Sequence, residues 1–157
     1  MTLDHAAFQR WLDRYVEAWK SYDPEAIADL FSDDAEYRHR PQDEPVKGRD
    51  AIVADWLEDR AEPGSFDGHY EPLAIDGENH VASGWSRDFD ADGELSDDYG
   101  NIYLCRFDPD GRCTSFTEWW TQNREFELRQ REATATATAA AGNTADSSPA
   151  AAEGSPA

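Results

Sequence analysis

Phe8, Trp11, Leu12, Tyr15, Val16 and Trp19 recur at the spacing of one helical face, which predicts an amphipathic helix from about Asp4 to Ser21. Asp23-Pro24 follows as a cap and a first-turn proline, opening a short helix whose apolar face is Ile27, Leu30 and Phe31 and which Asp33-Asp34 ends. Residues 35–40 alternate, with Glu36, Arg38 and Arg40 on one side and Tyr37 and His39 on the other; this predicts a half-buried strand with His39 facing inward. Residues 41–48 read as a loop. Ile52, Val53, Trp56 and Leu57 mark a third helix, stopped by Pro63-Gly64.

Beyond Gly64 the period changes to that of strands, predicted over 66–75, 80–90, 99–107 and 112–122. Their connections carry Asp76-Gly77, Asp92-Gly93 and Asp110-Gly111, dipeptides suited to tight turns. Helices first and strands afterwards predicts an α+β domain with helices packed on one face of an antiparallel sheet. Counting back from the turn at 108–111 pairs Tyr103 with Phe116, Asn101 with Glu118 and Tyr99 with Trp120, so these six share one face. On the preceding strand Val81, Ser83, Trp85, Arg87 and Phe89 share a face, with Arg87 between two aromatics. A charge on an apolar stripe is costly unless paired. Arg87 and Glu118 therefore either lie in a pocket, paired with each other, or are turned to solvent by a strand bulge. Ile102 and Leu104 face away from Tyr103 and Phe107, and a strand apolar on both sides fits a sheet covered on both faces, as in a homodimer.

Composition changes this picture at the C-terminus and at the surface. From Ala133 the chain has no aromatic or large aliphatic residue, so residues 1–128 are expected to form the domain and 129–157 a disordered tail. The formal net charge is −20, with two lysines among twelve arginines. Such a surface repels phosphate backbones and anionic lipid, which argues against nucleic-acid or membrane partners. Adaptation to a high-salt cytoplasm or a GC-rich genome would each produce this acidity. With no apolar run of the ~20 residues a membrane span needs and no secretory leader pattern, a cytoplasmic location is expected. Cys105 and Cys113 are read as reduced thiols. Residues 88–93 match the first half of a calcium loop, but Tyr99 stands where the closing Glu belongs, and an acidic hairpin turn explains them better. No glycine-rich phosphate loop or nucleophile elbow is present, and neither cofactor nor metal is expected.

Four phrases carry a family resemblance: RYVEAW (14–19), PEAIADLFSDDAEY (24–37), GRDAI (48–52) and FDPDGRCTSFTEWW (107–120). In this order they resemble the nuclear-transport-factor-2-like superfamily, in its SnoaL-like polyketide-cyclase and ketosteroid-isomerase-like branch. That resemblance implies a cone-shaped curved antiparallel sheet wrapped around three N-terminal helices. An apolar pocket would open at the wide end, and the sheet would serve dimerisation. It places His39 where isomerase-like members carry an acidic general base, and Tyr15 where they carry an oxyanion donor; Tyr103 replaces their second donor. Trp19, Trp56, Trp85, Arg87, Asn101, Phe116, Glu118 and Trp120 would line the pocket. A histidine can exchange protons near neutral pH, and a buried phenol can donate to a developing enolate. The expected function is cofactor-free isomerisation, dehydration or cyclisation of a small apolar carbonyl or hydroxyl compound. The alternative is a non-catalytic ligand-binding or association module.

Overall fold

The structure, a computed structural model, describes residues 2–58 and 60–145. These fall into two units, divided between Asn123 and Arg124. The first opens with helix α1 (His5–Ser21), capped by the Asp4 carboxylate, which accepts from the Ala7 N–H at 2.8 Å. Tyr22 closes it in the left-handed conformation (φ 49°), its N–H bonding the Ala18 carbonyl. Helix α2 (Pro24–Ala28) starts as the sequence predicts, with Asp23 as cap and Pro24 in the first turn.

Leu30 and Phe31 do not continue that helix. The Leu30 carbonyl accepts both the Trp11 indole N–H at 3.1 Å and the Cys113 N–H at 2.8 Å, and Phe31 opens strand β1 (Phe31–Arg38). Either assignment buries Phe31, so its apolar character could not choose between them; pairing with the last strand of the sheet does. The stretch read as a loop contributes a two-residue strand β2 (Val46–Lys47), and helix α3 (Arg49–Glu58) follows.

Strands β3 (Phe66–Asp76), β4 (Asn79–Phe89), β5 (Leu95–Phe107) and β6 (Cys113–Gln122) complete a six-stranded curved sheet of order β2-β1-β6-β5-β4-β3. All neighbours are antiparallel except β1 and β6. The core, on the helix side, is aromatic: Phe8, Trp11, Tyr15, Phe31, Tyr37, Trp56 and Phe116 are all buried. Such rings remove enough surface from water to build a core from few residues. Among buried polar groups, His80 has each ring nitrogen 3.1 Å from a backbone carbonyl, those of Glu78 and Leu3, which ties the segment before α1 to β4.

The expected pairing of β5 with β6 is displaced by two residues. Tyr103 lies opposite Glu118 and Asn101 opposite Trp120, because the turn closes Asp108 on Arg112 instead of Gly111 and a bulge at Arg106/Phe107 takes up one further residue. An even displacement leaves every side chain on its expected face.

The second unit is helix α4 (Arg124–Ala145), where the sequence reading placed the start of a disordered tail; residues 146–157 lie outside the described residues. Alanine is the strongest helix former, and Thr134, Thr136 and Thr138 return their hydroxyls to the carbonyls four residues back. No helix among the described residues is long and apolar enough to cross a membrane.

Candidate functional site

The inner faces of β3, β4, β5 and β6 close over α1 and β1 to leave a cavity of about 240 Å³. Its walls are Tyr15, Trp19, Tyr37, His39, Phe66, Tyr70, Ser86, Asp88, Tyr99, Asn101, Tyr103, Glu118 and Trp120. The alternation of β5 and β6 delivers Tyr99, Asn101, Tyr103, Glu118 and Trp120 to it from two neighbouring strands.

Glu118 is the chemical centre of this wall. Burial pushes its carboxyl up to about 7, against partial relief from an Asn101 hydrogen bond and the nearby His39. The Asn101 Nδ2 donates to Glu118 Oε1 at 2.6 Å, and Asn101 is held in turn by the Ser86 hydroxyl, which donates to its Oδ1 at 3.1 Å. Four phenols surround the carboxyl, and its charge, felt by each of them, adds to burial in raising Tyr15, Tyr37, Tyr70 and Tyr103. All four are therefore protonated donors at neutral pH. They form two pairs. The Tyr15 and Tyr37 hydroxyls lie 3.0 Å apart, and the Tyr70 and Tyr103 ring centroids lie 4.4 Å apart. The Tyr15/Tyr37 pair holds two protons and needs one for its internal bond, so it keeps one O–H to offer a ligand. Asp88, raised by burial and by the charge of Asp97, supplies a second carboxyl to the wall.

His39 is not on an inward strand position. β1 ends at Arg38, and His39 stands just beyond it at the rim, half exposed. Its Nε2 lies 2.8 Å from Asp55 Oδ2 on α3, and its ring meets Tyr37 edge-on at 4.9 Å. Trp56 and Phe116 lie behind the walls. Trp56 packs edge-on against Trp19 at 4.5 Å, and Phe116 stacks on Tyr37 at 4.7 Å.

Trp85 and Arg87 are on the opposite face of the sheet. Arg87 pairs with Asp98 at 3.0 Å and lies over the Trp85 ring at 4.6 Å, not with Glu118. The inward positions of β4 are His80, Ala82, Gly84, Ser86 and Asp88, small or polar because the phenols of β3 and β5 fold across them. Tyr70 stands opposite Gly84, and Tyr103 stands opposite Ala82; the two rings are 4.4 Å apart. The more apolar alternate set of β4 faces outward, which is why hydrophobicity selected the wrong phase. That error hid Ser86 and Asp88. Tyr70 and Asp55 carry no local signal beyond their own residue type.

Residues 12–116 match the SnoaL-like domain family. A crystal structure of an NTF2-like protein of unknown function from Burkholderia xenovorans LB400 superposes with a TM-score of 0.57 at 15% identity, over 75% of this chain and 85% of that one. An NTF2-like protein of unknown function from Cytophaga hutchinsonii ATCC 33406 gives 0.53 at 18% identity, over 72% and 98%. No curated protein matches. The sheet order, the helices before it and the match over most of the folded unit agree with the four sequence phrases: the chain belongs to the SnoaL-like domain family, within the NTF2-like fold.

Proposed function

We propose that this protein binds a small apolar carbonyl or hydroxyl compound and moves a proton on it without a cofactor, with Glu118 as the acid/base group. The observation that carries this reading is a partly buried cavity-wall carboxyl, pushed up to about 7, among four protonated phenols. A general base works best when its pKa lies near the working pH, and such groups contribute about 10²–10⁴-fold to rate. The spare O–H of the Tyr15/Tyr37 pair and the phenols of Tyr70 and Tyr103 are the oxyanion donors. His39, fixed by Asp55 at the rim, stands beside the route of exchange with solvent rather than at the reacting carbon. At about 240 Å³ the cavity is below the ~300–1,000 Å³ common for drug-sized ligands, so it suits a ligand of one or two small rings.

Deuterium exchange at the α-carbon of cyclic enolisable ketones, followed by NMR in D2O, tests the proposal. Wild type is expected to accelerate exchange, and Glu118→Gln to lose about 10²-fold or more of that acceleration. Tyr15→Phe and Tyr103→Phe are each expected to lose a smaller part, since the partner phenol of each pair remains. Ligand binding without exchange would instead support the second reading, a non-catalytic binding module.

The outer face of the sheet supports homodimer formation as a further proposal. Ile102 stands between Ser83 and Trp119 in the register, and Ile102 and Trp119 are 37% and 44% exposed. Sedimentation of wild type should give a dimer, and Ile102→Glu a monomer, because an unpaired charge in an apolar interface is strongly disfavoured. A monomeric wild type removes the proposal.

A further inference from the structure

Glu118 and Trp120 do not line the inner cavity alone. Together with Arg40, Pro41, Gln42 and Trp119 they also line an outer cleft of about 260 Å³, so the two spaces adjoin at Glu118 and Trp120. Arg40 lies over the Trp120 ring with its guanidinium carbon 4.7 Å from the ring centroid. It is the second residue after β1, next to His39, and its side chain is exposed. Among the described residues no carboxylate lies within ion-pair distance of it, although the chain carries 34 acids against 14 bases.

A guanidinium held over an indole ring keeps N–H groups free to donate. They match the two oxygens of a carboxylate, and the ring contact restricts the side-chain motion that binding would otherwise have to freeze. Glu118 does not take this role, since its hydrogen-bond donor is Asn101. Gln42, in the same cleft, supplies a second amide donor. An overall charge of −20 disfavours any anion, so capture of one here needs a dedicated cation at the site.

The geometry points to an anion-recognition subsite at Arg40 and Trp120, and hence to a ligand that is a small planar unsaturated or aromatic carboxylic acid. Its ring occupies the phenol-lined cavity, and its carboxylate lies in the outer cleft against the Arg40 fork. This rests on the proposed function of the inner cavity and specifies its substrate class.

The test uses trans-cinnamate and its neutral isostere cinnamamide, titrated into the full-length protein at pH 6 and constant ionic strength, with binding read by calorimetry. At that pH Glu118 holds its proton, so the acid meets no second carboxylate charge where the two spaces adjoin. Wild type is expected to bind cinnamate at least tenfold more tightly than cinnamamide. Arg40→Gln should remove that preference by weakening cinnamate tenfold or more, a difference of about 1.4 kcal/mol, while leaving cinnamamide unchanged. Changing one charge among so many cannot alter the general field enough for that effect, and unchanged amide binding shows that the variant is folded. Equal binding of acid and amide, or equal loss of both in Arg40→Gln, overturns the subsite. If cinnamamide binds and Glu118→Gln weakens it, the inner cavity stands without the subsite; if neither compound binds wild type, both fall.

Discussion

Glu118→Gln is expected to stabilise the folded protein at pH 8 by on the order of 3 kcal/mol while changing it little near pH 5. The carboxyl sits at about 7 against an ordinary 4.5, so between those values the folded protein holds a proton that the unfolded chain has released. Stability contributed by this residue therefore falls as pH rises through that window, and the full penalty is present above pH 7. A displacement of about 2.5 pH units at 1.36 kcal/mol each gives the magnitude. Glutamine keeps the shape and the acceptor that Asn101 bonds, and removes the charge that burial penalises. The other acids of this chain also change stability with pH, so the measurement is the difference between wild type and variant. Urea unfolding midpoints of both proteins from pH 5 to pH 8 should diverge progressively. Parallel curves would mean that the carboxyl is as well solvated in the folded state as in the unfolded one. It would then have no special capacity for proton transfer at neutral pH. A variant more stable than wild type but inactive in ketone exchange is the pattern expected where stability is given up for chemistry.

What the sequence made legible follows from which physical constraints are local. Helix α1 was readable because its face, cap and stop lie within one segment. The inward set of β5 and β6 was readable for a different reason. The turn and the bulge at Arg106/Phe107 each moved the pairing by one residue, and faces repeat every two, so the wrong partners still gave the right wall. The β4 assignment had no such protection. Its inward residues are small because rings from two neighbouring strands fill the space above them, and that cause is spread over β3 and β5. His39 was placed by extending an alternation one residue past the point where β1 stops. The phenol pairs could not be foreseen at all, since Tyr15 meets Tyr37 and Tyr70 meets Tyr103 only after the sheet curves.

Gly84 is where the fold and the candidate site depend on the same missing atom, and Gly84→Ala is expected to cost about 3 kcal/mol or more. A Cβ there would lie 2.0 Å from the His69 carbonyl oxygen and 2.4 Å from the Tyr70 ring. The first of these is backbone, paired in the β3–β4 ladder, and cannot rotate away; overpacking of rigid neighbours typically costs about 1–3 kcal/mol, and this contact is at the severe end. Relief requires β3 to move off β4 or Tyr70 to leave its place, and either would part the Tyr70 and Tyr103 rings now 4.4 Å apart. Gly100 is the control, a glycine of the same sheet standing opposite Trp85, where an added Cβ would meet only the Thr121 hydroxyl at 4.0 Å. Gly100→Ala should be neutral or slightly stabilising, because alanine loses less backbone freedom on folding. Thermal unfolding of both variants, with cinnamamide titrated into each at a temperature where it is folded, separates the two effects. A destabilised Gly84→Ala that no longer binds, beside a Gly100→Ala that does, would show that the ring lying across Gly84 holds the cavity open. Equal stability of the two variants would mean that β3 can shift away from β4 at little cost, and the wall of the cavity would then be a mobile one.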